Sequence, residues 1–275
     1  MKSKLYASLA VSALALGLAF SGNATAGYIF DFKPTCSVGV GDGCAGDPES
    51  ENFKVTITKD EDSNTDSFTI DWIVHEGTQA DGYVALPVDL KASSTWTVLS
   101  FDTGKLEIKI DITNDTILPE GSNNANILSF GFGVDPNSTA TFVKEGDNFN
   151  SLGTNGNNQN FPGGFKDIDV CAFTSNNCNG GNVNDGLAAR ASDSLTLAIT
   201  PDSDSVTYGN SIDLLFFPLK FQGTWGSFEP AGFPSQNGGG ISELPEPATL
   251  GLLGIGLFGL GMATYRRRRL ASTEV

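Results

Sequence analysis

Four oxygen-bearing side chains stand at alternate positions in one short polar stretch of the sequence. They are Asp60, Asp62, Asn64 and Asp66. Carboxylate and amide oxygens in such a loop are the ligands that a hard cation such as Ca²⁺ prefers. Thr65, however, occupies the place where an EF-hand loop carries glycine, and the flanking sequence predicts strands rather than helices. The stretch therefore predicts either a calcium site or the polar tip of a β-hairpin.

Catalytic residues in recognisable combinations are scarce. The one histidine, His75, follows a predicted strand, whereas an activated serine or cysteine needs a base beside it. Carboxylates are so numerous that pairs at the separation used by glycosidases arise by chance. No glycine-rich phosphate loop precedes a predicted helix. We therefore expect a protein that is not an enzyme and uses no cofactor, the calcium ion considered above excepted.

The four cysteines fall into two close pairs, Cys36 with Cys44 and Cys171 with Cys178. In an exported chain an even number of cysteines favours disulfide bonds, and four cysteines allow three connectivities. We expect the two local bonds, because each closes a short loop rich in glycine and asparagine. A zinc site is the alternative, but it would need four thiolates from distant loops.

Acidic residues outnumber basic ones two to one, with 32 Asp and Glu against 16 Lys and Arg. The imbalance is larger in the central part of the chain, with both ends left out. Residues 27–244 hold 10 basic and 30 acidic residues, which gives a formal charge of about −20. A surface of this sign repels nucleic acid and anionic lipid and favours solubility. We expect no nucleic-acid partner.

The first 26 residues have the three parts of a secretory signal peptide. Lys2 and Lys4 precede an apolar run from Leu5 to Phe20, and Ala24 and Ala26 form a small-residue cleavage site. We expect a signal helix that is removed after Ala26. A retained first membrane helix is the alternative, which the short apolar run disfavours.

Apolar and polar residues alternate through residues 27–234 with the period of two that is typical of half-buried strands. The clearest case is Leu106 to Ile112, where Leu and Ile alternate with charged residues. The other predicted strands are 53–58, 68–74, 96–101, 127–134, 140–144, 168–173, 195–200 and 212–221. This pattern predicts an all-β domain, an antiparallel two-sheet β-sandwich of jelly-roll or immunoglobulin-like type.

Three stretches outside the predicted strands are long or flexible. Residues 148–164 and 118–126 are longer and more polar than plain turns, and loops of this length are often functional. After the domain, residues 235–244 contain a Gly-rich run and predict a flexible linker. The domain is therefore expected to end near residue 234.

The C-terminal stretch combines two prolines, an apolar span and a basic cluster. Pro245, Glu246 and Pro247 exclude a helix at that point and favour an extended segment. Residues 248–265 carry no charge and are nearly long enough to cross a hydrocarbon core of about 30 Å. Arg266, Arg267, Arg268 and Arg269 then follow. We expect a transmembrane helix that these arginines stop on the cytoplasmic side.

Pro-Glu-Pro, a Gly- and Leu-rich span and an arginine cluster, in this order at a C-terminus, resemble the tripartite tail of PEP-CTERM proteins. The resemblance covers residues 243–269, with 245–269 as the sorting and anchor segment. It implies a bacterial protein that uses the secretion machinery and an exosortase, an integral-membrane enzyme that cuts near the motif. An ordinary single-pass anchor is the alternative.

Sequence blocks in the middle of the chain show a narrower resemblance. The run ILSFGFGVDP at 127–136 is followed by FPGGF at 161–165, IDVC at 168–171 and CNGG at 178–181. Residues 223–232 belong to the same set. Together they look like the cistern family of cyanobacterial PEP-CTERM proteins, a resemblance that brings no activity and no catalytic residues.

Two functions are consistent with these patterns. The first is an exported, non-enzymatic protein of the cell surface or extracellular matrix, held transiently or permanently by an inner-membrane anchor, with extracellular polysaccharide as a further partner. The alternative is a carbohydrate-binding β-sandwich on a plain membrane anchor. Trp72, Trp96 and Trp225 separate the two, because a sugar-binding platform needs these rings exposed. Trp225, between Gly223 and Gly226, is the best candidate for exposure.

Overall fold

The computed structural model describes residues 27–35, 52–60, 62–122, 124–154, 161–165 and 168–235. The predicted signal peptide with Ala24 and Ala26, the Cys36–Cys44 pair, and nearly all of the predicted linker lie outside these residues. The whole sorting segment, residues 245–269, also lies outside them. In the part that is described, no helix is long and apolar enough to span a membrane. The signal helix and the transmembrane helix stay predictions.

Short antiparallel strands make up most of the described chain. Their bounds are β1 Gly27–Thr35, β2 Asn52–Asp60, β3 Ser67–Val74, β4 Leu90–Phe101, β5 Leu106–Asn114, β6 Ala125–Asp135, β7 Ser138–Lys144, β8 Ser151–Thr154, β9 Val170–Phe173, β10 Ser192–Pro201, β11 Ser211–Leu215, β12 Leu219–Gly223, β13 Gly226–Phe228 and β14 Phe233–Pro234. One turn of 3-10 helix, Val183–Asp185, interrupts them.

Two antiparallel sheets form a sandwich, which confirms the predicted fold class. Sheet A has eight strands in the order β1-β2-β11-β6-β12-β13, with β9 on the free edge of β6 and β8 beside β9. Sheet B has six strands in the order β14-β3-β4-β5-β10-β7. Strands next to each other in space are often distant in sequence, so long-range pairing defines this fold.

The core lies between the sheets and is built from the inward residues of each strand. In β5 every second residue from Leu106 to Ile112 is fully buried, as the alternation predicts. An aromatic cluster occupies the centre. Trp96 stacks on Phe68 with ring centroids 5.7 Å apart, and it meets Phe132 and Phe217 edge to face at 5.1 and 5.4 Å. These geometries are the favourable ones for aromatic pairs.

The single strand predicted over residues 212–221 is wrong at its middle. Strands β11 and β12 follow the same edge of β6, but the residues between them leave the extended conformation, with φ of 73° at Phe216 and 44° at Phe217. Non-glycine residues rarely adopt positive φ. Here the core compensates, because the Phe217 ring is buried and its carbonyl accepts a 2.7 Å hydrogen bond from Trp72 Nε1.

Four strands were not predicted. β13 and β14 are too short for any period to be visible. β8 lies inside the predicted loop at 148–164 and is defined by its pairing with β9. β1 begins at Gly27, and its place in sheet A comes from pairing with β2 along its whole length. Pairing with another strand, rather than local pattern, decides these cases.

Candidate functional site

The outer face of sheet A is buried beneath chain that follows β7. Along β6, Phe130, Phe132 and Val134 point into the core, whereas the alternate residues Gly131 and Gly133 are small. The covering residues form a second apolar cluster of Phe161, Phe165, Ile168, Cys171, Phe173, Cys178 and Phe216. We call this surface the covered face. It consists of β6, β9 and β12 together with that cluster.

Close contact between the covering segment and β6 explains the small residues. A Cβ atom on Gly131 would lie 3.0 Å from both Ile168 Cγ2 and the Val170 carbonyl oxygen. Any larger side chain would push the covering segment away. Alternation of Phe and Gly in β6 therefore reflects two different neighbours, the core on one side and the covering segment on the other.

A disulfide bond closes the covering segment. Cys171 in β9 is bonded to Cys178, with Cα atoms 6.2 Å apart and both residues fully buried. Ser129 Oγ donates a 2.9 Å hydrogen bond to the Cys178 carbonyl, which fastens the loop to β6. The predicted local bond between these two cysteines is confirmed. The Cys36–Cys44 bond remains a prediction.

A buried ion pair on the covered face joins β12 to the residue that follows β13. Lys220 Nζ donates to Glu229 Oε1 at 2.7 Å and to Ser227 Oγ at 2.6 Å, and Ser227 Oγ donates to Glu229 Oε1 at 2.7 Å. The side chains of Lys220 and Glu229 are only 7% and 17% exposed. Gly180 lies against Lys220, since a Cβ there would be 2.8 Å from Lys220 Cε.

This arrangement places a serine hydroxyl beside a lysine, as some hydrolases do, but the lysine has another partner. Glu229 neutralises the Lys220 ammonium, and a buried charge of this kind is stabilised only by such pairing. An ion-paired ammonium cannot accept the serine proton. Sequence reasoning missed this cluster because Lys220 alternates with Leu219 and Phe221, a pattern that predicts a solvent-facing lysine.

The candidate calcium ligands lie between β2 and β3. Asp60 ends β2, and its Oδ1 accepts a 3.0 Å hydrogen bond from the backbone N–H of Asp62. Asp62, Asn64 and Asp66 are exposed. Among the described residues there is no group of three or more His, Cys, Asp or Glu side chains placed to hold a metal ion. Calcium binding at this turn stays a prediction.

His75 lies on the surface at the end of β3. Its side chain is more than half exposed, and Nδ1 is 3.8 Å from Asp89 Oδ1. The hydrogen bond from the Glu76 backbone N–H, assisted by Lys91, lowers the pKa of Asp89.

The three tryptophans form no platform for sugar rings. Trp72 and Trp96 are fully buried, and Trp225 is 8% exposed. The indole N–H of Trp72 donates a hydrogen bond to the Phe217 carbonyl, and that of Trp96 donates one to Ser94 Oγ. A carbohydrate-binding module that stacks sugars on these rings is therefore excluded.

A polar cleft of about 280 Å³ opens at one corner of sheet B. It is lined by Asp111, Lys144, Glu145, Asp147, Ser192, Asp193 and Ser194. Asp193 forms its floor and accepts hydrogen bonds from four backbone N–H groups, those of residues 147, 148, 149 and 194. Burial opposes ionisation, but these four bonds outweigh it and lower the pKa of Asp193.

The last described residues pair with sheet B. Gly232 N–H donates to the Phe217 carbonyl at 2.8 Å, β14 pairs with β3, and Ser235 N–H donates to the Thr69 carbonyl at 3.1 Å. Ser235 is the last described residue. The candidate sorting residues start ten positions later, at Pro245.

Comparison with known proteins identifies a motif in the C-terminal tail. The sequence profile of the PEP-CTERM protein-sorting motif matches residues 243–269. No curated protein and no solved structure matches the chain.

The chain thus carries a PEP-CTERM sorting motif at its C-terminus. Such a motif implies an exported protein that an exosortase processes and that reaches the cell surface. Pro245, Glu246 and Pro247 occupy the part of the matched segment that gives the motif its name. They are expected to be recognised by another protein's active site.

Proposed function

We propose that this protein is a non-enzymatic β-sandwich of the cell surface or extracellular matrix, which an exosortase processes at Pro245, Glu246 and Pro247. The profile match over residues 243–269 carries this proposal. The fold supports it, because the described sandwich is complete at Ser235 and a cut near Pro245 removes none of its strands. The arginines at 266–269 would hold the tail in the inner membrane until the cut.

Export by a cleaved signal peptide is part of this proposal. Gly27, the residue after the predicted cleavage site at Ala26, pairs with Asp60 in sheet A. A Cβ on Gly27 would lie too close to the Ser63 carbonyl, so this residue is fitted closely into the fold. The bond between Cys171 and Cys178 also suits an oxidising compartment outside the cytoplasm.

We further propose membership of the cistern family of cyanobacterial PEP-CTERM proteins. The support is that the sequence blocks carrying this resemblance meet in space. Residues 127–136 lie mainly in β6, residues 168–171 enter β9 beside it, and residues 178–181 cover it. Residues 223–232 include β13, which pairs with β12. The blocks together build the covered face.

A non-enzymatic role fits the described side chains best. The serine and lysine nearest to a catalytic arrangement, Ser227 and Lys220, are tied to Glu229 in one closed cluster. His75 lies on the surface beside Asp89. The domain offers a stable scaffold with two different outer faces.

Substituting the motif tests the proposal. The full-length chain with Pro245→Ala, Glu246→Ala and Pro247→Ala should remain in the membrane fraction of cells that contain their exosortase. The matched control, Glu274→Ala, removes a carboxylate outside the matched residues 243–269 and should be processed normally. Cell fractionation and immunoblotting measure both. Normal processing of the triple variant would contradict the proposal and favour a plain anchor.

A further inference from the structure

The outer face of sheet B is a regular array of hydroxyl groups. Three rows of laterally paired residues cross strands β3, β4, β5 and β10. The rows are Ser67, Thr97, Lys109 and Thr196; Thr69, Thr95, Asp111 and Ser194; and Asp71, Ser93, Thr113 and Ser192. Nine of these twelve residues are Ser or Thr. We call this surface the hydroxyl face.

The spacing of the array follows from sheet geometry. Neighbouring strands are about 4.8 Å apart, and successive outward residues of one strand are about 6.7 Å apart. Most of the side chains are half-buried between their neighbours, but Thr196 is only 7% exposed and Thr69 Oγ1 is buried. Thr113 Oγ1 and Ser192 Oγ illustrate the lateral contact, at 2.9 Å.

The face carries little net charge. Lys109 Nζ is 2.7 Å from Asp111 Oδ2, and the third charged residue of the rows, Asp71, has a side-chain hydrogen bond with Ser235. One basic and two acidic residues give the rows a formal charge of −1, against about −20 for residues 27–244. The face therefore offers a charged polymer little ionic attraction, and the surrounding acidic surface repels an anionic polymer.

The polar cleft continues the hydroxyl face at its β10 and β7 side. Asp111, Ser192 and Ser194 belong to both, and Lys144, Glu145 and Asp147 complete the rim. Carboxylates, hydroxyls and an ammonium group provide acceptors and donors together. A volume of about 280 Å³ suits a small polar ring rather than a flat contact.

A protein partner fits this surface poorly. Protein interfaces concentrate aromatic residues, Met and Arg, and they are depleted in Ser, Lys, Asp and Glu. The three rows contain no aromatic residue and no Met or Arg. The dominant group is a hydroxyl that both donates and accepts hydrogen bonds.

We propose that the hydroxyl face, with the adjoining cleft, is a binding surface for an uncharged, hydroxyl-rich polysaccharide, held by hydrogen bonds rather than by ring stacking. The array of donors and acceptors matches a polymer with hydroxyl groups at short regular intervals. The inference rests on the proposed function in one respect, because export is what brings the domain to such polymers. It needs none of the tryptophans.

Co-sedimentation of the full-length protein, purified in detergent, with cellulose tests the proposal. The test variant combines Thr95→Val, Thr113→Val and Ser194→Ala, which remove three hydroxyls from the face with little change of shape. The control variant combines Thr58→Val and Ser211→Ala, a laterally paired set in sheet A. Thermal unfolding of each variant establishes that the fold is kept.

Wild-type protein and the sheet A control should sediment with cellulose equally, at low and at high salt. The triple variant should bind at least about tenfold less tightly, since three hydrogen bonds of modest strength are lost. Absence of wild-type binding, or equal binding by the triple variant, would overturn the proposal. So would a dimer of the protein alone that the triple variant abolishes, because the face would then bind a second copy. None of these outcomes depends on exosortase.

Discussion

The two outer faces of the sandwich have opposite surroundings. The covered face of sheet A lies under its own chain, and its outward positions include Gly131, the disulfide of Cys171 and the buried Lys220. The hydroxyl face of sheet B has no such covering segment among the described residues, and Ser and Thr fill most of its outward positions.

This difference separates residues that serve the fold from residues available for binding. On the covered face every outward side chain has a protein neighbour, so substitution there should reduce stability. On the hydroxyl face most outward side chains are partly exposed and lie beside their lateral neighbours, so substitution should change binding and leave stability nearly unchanged. The first three predictions below each compare one change on each face.

Glu229→Gln should have the largest effect. It leaves the Lys220 ammonium buried without its carboxylate, which is expected to cost about 3 kcal/mol of unfolding free energy. The matched change on the hydroxyl face is Asp111→Asn, which unpairs Lys109, whose side chain is 42% exposed. That change should cost less than about 1 kcal/mol. Urea unfolding measures both, and equal losses would contradict the comparison.

Removing the disulfide should rank second. Cys171→Ser with Cys178→Ser opens a short loop in the unfolded chain and should cost about 2.5 kcal/mol. The control is Thr113→Val with Ser192→Ala, which removes a lateral hydroxyl contact from the hydroxyl face and should cost less than about 1 kcal/mol. Calorimetric unfolding temperatures provide the measurement. A larger loss of stability in the Thr113→Val, Ser192→Ala variant than in the disulfide variant would contradict the assignment of the two faces.

Gly131→Val should destabilise by about 2 kcal/mol, because the new side chain would overlap Ile168 and the Val170 carbonyl. Thr95→Val is the counterpart on the hydroxyl face and should change the unfolding free energy by no more than about 0.5 kcal/mol. Chemical unfolding followed by tryptophan fluorescence reports on both. A tolerated valine at residue 131 would show that the covering segment is not packed on β6.

Asp193→Asn should have the smallest effect on stability at neutral pH, about 1.5 kcal/mol, and should alter the response to acid. The folded-state pKa of Asp193 is lowered, so its contribution is present above the unfolded-state value of about 3.9 and is lost as the pH falls through the folded-state pKa. The unfolding free energy of the variant should therefore fall less between neutral pH and pH 3. Identical acid profiles for variant and wild type would contradict this role.

Local pattern was sufficient for the strands whose neighbours repeat regularly. The alternation from Leu106 to Ile112 predicts β5, and the seven-residue spacing of Cys171 and Cys178 predicts their bond. Both features depend on residues close together in the sequence. The sorting motif was likewise recognised from adjacent residues, and the profile match agrees with its limits.

Features that depend on distant parts of the chain were not predictable. The positive φ at Phe216 and Phe217 arises because the core takes the Phe217 ring, which no neighbouring residue indicates. Trp225 was the candidate for exposure because glycines flank it, yet it is buried. The burial of Lys220 depends on a covering loop some forty residues earlier in the chain.

The central claim, processing by an exosortase, is tested most directly by the intact mass of the exported protein in cells with and without that enzyme. We expect a C-terminus between Pro245 and Pro247 only where the exosortase is present. A mass that extends to Val275 in both kinds of cell would contradict the claim and make the tail a plain membrane anchor.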